Sequence, residues 1–301
     1  MEKKIKPIKL DFSALRDFAR NGYVRFPQNA YIANDFAVLR SFKAITKKPF
    51  MSGQPYRLDE LRIGRVVSGS GLITLNLIDY EFREGMMLYI KGGSIVQPVS
   101  FSSDFDLEAI TVSDELLKIL FNGRVPSCFI RDAYSNLIDI SEAESEILHK
   151  VIETLWIVVH QQNLGLGVAH GLLTSVLCMY ENIVERNHTD AVSTTSHERE
   201  VFMRFINLVN QFSRKERKLS FYADKLCLSQ HYLSAVIKGA SGNTAKDWIE
   251  RAVISEAKVM LRNTDMLTYQ ISDELNFPNV SFFCKFFRRL TGMTPLEYQR
   301  S

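Results

Sequence analysis

The sequence predicts an α+β protein in two parts, a β-rich N-terminal domain closing in a helical hairpin and an all-α C-terminal domain. Three observations carry this. Between Leu61 and Val112, short strand-like runs follow one another at about ten-residue spacing, the rhythm of an antiparallel sandwich or small barrel. After Ile140 come two amphipathic helical runs of about 20 residues, joined through Gly165 and Gly167. From Glu198 onward the apolar residues keep helical spacing, and one unit occurs twice.

A chain of 301 residues accommodates about two domains at roughly 150 residues each. Its apolar fraction of 46% is ample for packed cores. No run of 18 or more apolar residues occurs, so no membrane partner is expected. The opening MEKKIKPIKL has no apolar run behind its charges and does not read as a signal peptide. Cys128, Cys178, Cys227 and Cys284 lie about 50 residues apart with no CxxC pair, a pattern that fits neither a zinc site nor a disulfide framework and makes a reducing cytoplasm the expected location. The net charge of +3 is unevenly spread. From Arg199 to the end there are 16 basic against 10 acidic residues, and before it 21 against 24. The basic excess therefore sits in the C-terminal third, which is the part suited to phosphates.

In chain order, residues 1–60 are mixed, with turn formers at Asn21-Gly22, Pro27, Pro49, Gly53 and Pro55. Leu61 opens a β-like run that meets a turn at Ser68-Gly-Ser-Gly. Ile73, Leu75 and Leu77 share parity in the next run, and Glu84-Gly85 breaks the chain before MMLYIKGG. Ser141 and Glu144 have the spacing of a capping box at the start of the hairpin, residues 141–187. Leu148, Val151, Leu155, Val158 and Val159 line one face of its first helix, and Val168, Leu172, Val176, Tyr180, Ile183 and Val184 one face of its second. Residues 188–197 are small and polar and read as a linker. The predicted domains are thus 1–187 and 198–301.

The C-terminal domain contains LSFYADKLCLSQHYLSAVIKGASGNT and, later, LTYQISDELNFPNVSFFCKFFRRLTGMT. Leu226-Cys-Leu-Ser229 corresponds to Leu275-Asn-Phe followed by Asn279, Tyr232-Leu233 to Phe282-Phe283, and Gly242 and Thr244 to Gly292 and Thr294. Ser229 and Asn279 are N-cap residues for a following helix. Each copy reads as helix, turn, helix, an arrangement in which one helix braces the protein while the next lies in a DNA major groove. Between the copies, Trp248, Ile249, Ala252, Val253, Ala257, Met260 and Leu261 define one long amphipathic helix.

These residues resemble the AraC/XylS family of bacterial transcription regulators. The family signature has a Gly-Phe turn, an aromatic-Phe pair, a Phe with a basic residue, then G-x-T-P-x-x-Y-R. Here those places hold Asn276-Phe277, Phe282-Phe283, Phe287-Arg288 and Gly292-Met-Thr-Pro-Leu-Glu-Tyr298-Gln-Arg300. Asn276 replaces the glycine, Gln299 separates Tyr298 from Arg300, and Ala235 stands where the first recognition helix often carries arginine. The resemblance implies double-stranded DNA as partner and RNA polymerase as a second one. It implies base reading by Gln230, His231 and Ser234 in the first copy and by Val280, Ser281, Cys284 and Lys285 in the second. Gln can pair with adenine and Lys can donate to guanine. Lys238, Arg288 and Arg289 are expected on phosphates.

The resemblance further implies a cupin-like β-barrel in the N-terminal domain, with a small-molecule effector or dimerisation alone as its role. A homodimer is expected through residues 141–187. The six histidines all lie at or after His149, so the ligand set of a metallo-cupin is missing from the strands and neither metal nor cofactor is expected. Arg25, Arg62, Arg65, Tyr80 and Tyr89 are candidates to line an effector cavity. An enzyme fused to a DNA-binding module, such as an alkyl-transfer repair protein, would need a reactive cysteine in a Pro-Cys-His context. Cys128 lies instead in Pro126-Ser-Cys-Phe. No catalytic residues are predicted, and an activator of transcription is the expected function.

Overall fold

The computed structural model describes Phe12, Arg16 and residues 29–44, 53–130, 137–161, 165–191, 197–263 and 266–300. They divide into two compact units, one within residues 10–193 and one within 194–301. At the division, the last helix of the first unit continues to Ala191, four residues into the expected linker, and the next helix starts at His197. Residues 192–196 lie outside the described residues.

The first unit is built on β1 (Ala30–Ile32), β2 (Phe36–Leu39), β3 (Tyr56–Leu58), β4 (Leu61–Ser68), β5 (Ser70–Leu75), β6 (Ile78–Arg83), β7 (Met86–Ile90), β8 (Ser94–Phe101), β9 (Asp106–Val112) and β10 (Leu137–Asp139). These strands do not close one barrel. They form a six-stranded sheet in the order β1-β2-β9-β4-β7-β10 and a four-stranded sheet in the order β3-β8-β5-β6. Chain passes from one sheet to the other between β4 and β5, where only Gly69 intervenes. Gly69 has φ +73°, and a Cβ there would lie 2.7 Å from the Phe105 backbone, so the crossing requires glycine. Phe101 and Phe82 of the smaller sheet meet Phe105 at ring separations of 4.8 and 5.2 Å. β1, β2 and β3 fall in the stretch the sequence left unassigned. Strands of three or four residues are too short to display alternation.

Helices α1 (Asp114–Leu120) and α2 (Ser127–Ile130) follow β9, and α3 (Glu142–Val159) and α4 (Leu166–Ala191) form the hairpin. One face of the large sheet supplies Phe36, Val38, Leu61, Ile63, Met87, Tyr89, Ile110 and Val112 to a core shared with Leu148, Ile152 and Leu155 of α3 and Leu173, Val176, Leu177 and Tyr180 of α4. The hairpin thus packs on its own sheet. Val168, expected on the packed face, is exposed. The buried stripe of α4 starts at Ala169 and continues through Leu173.

Of the candidate cavity residues, Tyr89 stacks on Tyr180 at 4.8 Å in this core. Arg62 lies 3.7 Å from Glu60, and Arg65 donates to Glu108 at 2.7 Å and to Ser145 at 2.8 Å. Tyr80 is half-buried on β6. Arg25 lies outside the described residues. Three of the five are therefore held by separate internal partners.

The predicted capping box is formed: the Ser141 N–H donates to Glu144 at 2.8 Å, and the Glu144 N–H donates to the Ser141 hydroxyl at 3.3 Å. Arg186 of α4 donates to the same carboxylate at 2.7 Å. That hydrogen bond, with those from Ser141, holds the Glu144 carboxyl at about 2, below its ordinary value. A depressed carboxylate contributes stability above its unfolded pKa and loses it as pH falls through the folded one. Glu144→Gln keeps a capping-box side chain but loses the charge paired with half-exposed Arg186, and should cost up to about 1 kcal/mol at pH 7. The difference from the native chain should shrink below about pH 4.5 and vanish towards pH 2, measured by denaturant unfolding across that range.

Candidate nucleic-acid interface

The second unit consists of α5 (His197–Phe212), α6 (Leu219–Leu226), α7 (Gln230–Ser241), α8 (Ala245–Asn263), α9 (Thr268–Glu274), α10 (Val280–Thr291) and α11 (Pro295–Arg300). The helix-turn-helix pairs are α6–α7 and α9–α10, and α8 joins them as the sequence predicts. All seven apolar residues expected along α8 are buried.

The two turns are built alike. In the first, Cys227 has φ +58° and the Leu228 N–H donates to the Ala223 carbonyl at 2.9 Å. In the second, Asn276 has φ +53° and the Phe277 N–H donates to the Ser272 carbonyl at 2.9 Å. Asn276 therefore adopts the left-handed conformation of the glycine it replaces, which asparagine tolerates better than most residues. Pro278 is an extra residue before the second cap. Ser229 Oγ accepts from the Tyr232 N–H at 3.2 Å, and Asn279 Oδ1 from the Phe282 N–H at 3.1 Å, satisfying one open donor at each recognition-helix start. Both recognition helices end on left-handed glycines, Gly242 and Gly292. Thr244 and Thr294 then cap α8 and α11, with their N–H groups donating to Asp247 at 2.8 Å and to Glu297 at 2.7 Å.

Burial divides each recognition helix into two faces. In α7, Leu233, Val236 and Ile237 are buried, while Gln230, His231, Tyr232, Ser234, Ala235 and Lys238 are exposed. In α10, Phe283 and Phe287 are buried, while Ser281, Phe282, Lys285, Arg288 and Arg289 are exposed. Val280 is half-buried, and Cys284 is half-buried against the core that contains Phe283 and Phe287. Lys238 turns back to donate to the Gly242 carbonyl at 2.6 Å, and Arg289 pairs with Glu250 at 2.8 Å. Exposed pairs of this kind are worth at most about 1 kcal/mol, so a phosphate can displace them.

Two features were not read from the sequence. Phe282, 58% exposed, and Tyr232, 40% exposed, occupy the same place on the outer face of each recognition helix. Only the second member of each adjacent pair, Leu233 and Phe283, is buried. The other feature is a contact between the halves. Arg217, in the segment between α5 and α6, donates through Nη2 to the Leu275 carbonyl and through Nη1 to the Asn276 carbonyl at 3.3 Å. Its guanidinium lies 3.8 Å over the Phe277 ring. Asn276 Nδ2 returns a hydrogen bond to the Lys215 carbonyl at 3.0 Å. Nearby, Arg214 pairs with buried Glu256 of α8 at 2.9 Å and lies 3.7 Å from Glu274 of α9.

Two capped helices with apolar inner faces and polar, partly basic outer faces define a DNA-binding helix-turn-helix protein. Residues 222–301 match the family model described as a helix-turn-helix domain. Over 237 residues, 77% of this chain and 81% of the relative, the chain is 22% identical to the HTH-type transcriptional activator RhaR of Escherichia coli O139:H28. It is 30% identical over 83 residues to the regulatory protein PocR of Salmonella typhimurium, 28% of this chain and 27% of that one. Among solved structures, ToxT from Vibrio cholerae aligns with 81% of this chain and 90% of its own at 16% identity and a TM-score of 0.40. Residues 222–301 are thus a helix-turn-helix domain of the kind found in the AraC/XylS family, and the chain is similar to DNA-binding transcription regulators.

The adjacent phenylalanines of α10 separate folding from surface chemistry. Phe283→Ala should cost about 3–5 kcal/mol through the cavity it leaves. Phe282→Ala should stay within about 0.5 kcal/mol of the native chain, as surface substitutions do. Denaturant unfolding of the two variants measures both.

Proposed function

We propose that the chain is an activator of transcription that places α7 and α10 in successive major-groove segments of one operator. The duplicated turn, cap and outward face is the observation that carries this reading. Gln230, His231 and Ser234 on α7, and Val280, Ser281, Cys284 and Lys285 on α10, are the proposed base readers. Lys238, Arg288 and Arg289 are the proposed phosphate contacts. Of the proposed base readers on α10, Ser281 and Lys285 are exposed, whereas Cys284 packs partly against the core. Activation follows the description of RhaR as a transcriptional activator, and RNA polymerase is the partner proposed with it. Catalysis has no part in the proposal.

For the N-terminal unit, control by a small-molecule effector is the first reading. A second is favoured by the internal pairing of Arg62, Arg65 and Tyr89: an effector-independent unit that only dimerises. A cavity of about 180 Å³ beside Tyr31, Phe36, Val158 and Leu166 is smaller than the roughly 300–1,000 Å³ of typical ligand pockets. Dimerisation through the hairpin 141–187 is supported by Ile147, Ile157 and Val168, apolar residues exposed on its helices. Native mass spectrometry of the chain purified from its own cells separates the readings. A dimer carrying a small-molecule mass supports effector control, an empty dimer supports the second, and an empty monomer removes both.

The DNA reading is tested by selecting duplexes from a random library and measuring affinity against salt. Lys285→Ala should weaken the selected duplex far more than random DNA, by about 1–3 kcal/mol for a lost guanine contact. Arg288→Ala should weaken both alike and flatten the slope of log K against log salt by about 0.9. Equal loss on selected and random DNA for Lys285→Ala would remove Lys285 from the base readers.

A further inference from the structure

We propose that Arg217 and Asn276 form a clamp that fixes the distance and rotation between the two recognition helices, making half-site spacing part of what the protein reads in DNA. The inference rests on the DNA reading above and adds a determinant that touches no base.

The two helix-turn-helix units share α8, 19 residues long and therefore about 28 Å at 1.5 Å per residue. One connecting helix defines an axis but resists rotation about that axis weakly. A second connection away from the axis removes this freedom, and Arg217 supplies it. The segment carrying Arg217 belongs to the first half: the buried Tyr222 of α6 donates its hydroxyl to the Glu216 carbonyl at 2.7 Å. The groups Arg217 reaches belong to the second half, 58 and 59 residues further on. They are carbonyls at the end of α9, which have no partners within their own helix and lie at the negative end of its dipole. A planar guanidinium can serve two such oxygens and stack on Phe277 at once, which a lysine ammonium cannot. The bond from Asn276 Nδ2 to Lys215 runs the other way across the same seam. Glycine, the residue that the turn conformation alone would favour, has no atom for it. Asn276 therefore serves both the turn and the clamp, and Arg217 is a positioning residue.

In DNA, one inserted base pair moves a half-site by about 3.4 Å and turns it by about 35°. A rigid pair of helices cannot follow that shift without losing contacts at one site. A pair free to rotate can.

The test uses the full-length chain and a duplex enriched by it from a random library. That duplex is compared with versions carrying one and two inserted base pairs between the half-sites, and with a duplex retaining one half-site. The native chain should lose about tenfold or more in affinity per insertion. R217M keeps the stacking stem and removes the donors, and N276G keeps the left-handed turn and removes the return bond. In R217M/N276G the insertion penalty should fall to about threefold or less, with affinity for the single half-site unchanged. Tenfold is the factor expected from one charge-assisted hydrogen bond. An unchanged penalty overturns the clamp. A uniform loss on all duplexes, the single half-site included, also overturns it, because that is the mark of a role in stability alone. Should the double variant not fold by circular dichroism, N276G alone decides by the same comparison. If the native chain enriches no duplex, the DNA reading itself fails and the clamp with it, a result distinct from an unchanged penalty.

Discussion

Burial along α8 constrains both halves of the DNA-binding unit at once. Trp248 meets Phe202 of α5 at a ring separation of 5.4 Å. Ile254, Ala257, Met260 and Leu261 form a single cluster with Ile271, Leu275, Phe283, Phe287 and Tyr298. One helix is thus a wall of two cores, with opposite ends committed to different partners. The second recognition helix packs on its C-terminal half, since Phe283 and Phe287 can be buried only when α10 presents its other face outward. The basic outer face follows from the position of the apolar inner one.

The internal duplication separates what the fold requires from what the surface is free to vary. Features facing inward or fixing the backbone recur: a left-handed residue in the turn, an oxygen cap on the recognition helix, a left-handed glycine at its end, and a capped threonine after that. Outward positions differ. Ala235 and Gly239 of α7 correspond to Lys285 and Arg289 of α10, and Gln230 to Val280. The first copy offers neutral hydrogen-bonding groups, the second positive charge. Such a division suits a protein whose two helices meet different base sequences and whose second helix supplies more of the electrostatic attraction.

The helical domain was legible because its signals are local. An oxygen-bearing cap, a glycine past a helix end and a 3.6-residue apolar stripe each lie within a few residues, and the repeated unit shows them twice. The double helix-turn-helix and the Ser141 capping box were accordingly read in full. Long-range and marginal features were not. Arg217 binds a turn nearly 60 residues away, and nothing around it in the sequence distinguishes it from neighbouring Lys215 and Lys218. The exposure of Phe282 was hidden by its apolar character, because adjacent Phe282 and Phe283 cannot share one helix face and only packing selects between them. In the first unit, alternation identified the longer strands. Division into two sheets depends on backbone geometry at Gly69, which composition does not reveal.

The seam between the hairpin and the large sheet shows how register is added to an apolar contact. Leu148, Ile152 and Leu155 repeat at helical spacing, so the apolar surface alone would accept α3 shifted by a turn. Glu108, 3% exposed on β9, accepts from Arg65 of β4 at 2.7 Å and lies 3.0 Å from His149 Nδ1 of α3. Arg65 also donates to Ser145 of α3 at 2.8 Å. A carboxylate buried to this extent must keep its partners, because removing one leaves an uncompensated charge at a cost of about 3–5 kcal/mol. Shifting α3 by one turn would carry His149 and Ser145 about 5.4 Å along its axis, beyond hydrogen-bond reach of Glu108 and Arg65. The same logic operates in both units. Apolar faces set which surfaces meet, and a few charged groups at the seam, Glu108 with Arg65 in one and Arg217 with the α9 carbonyls in the other, set the position at which they stop.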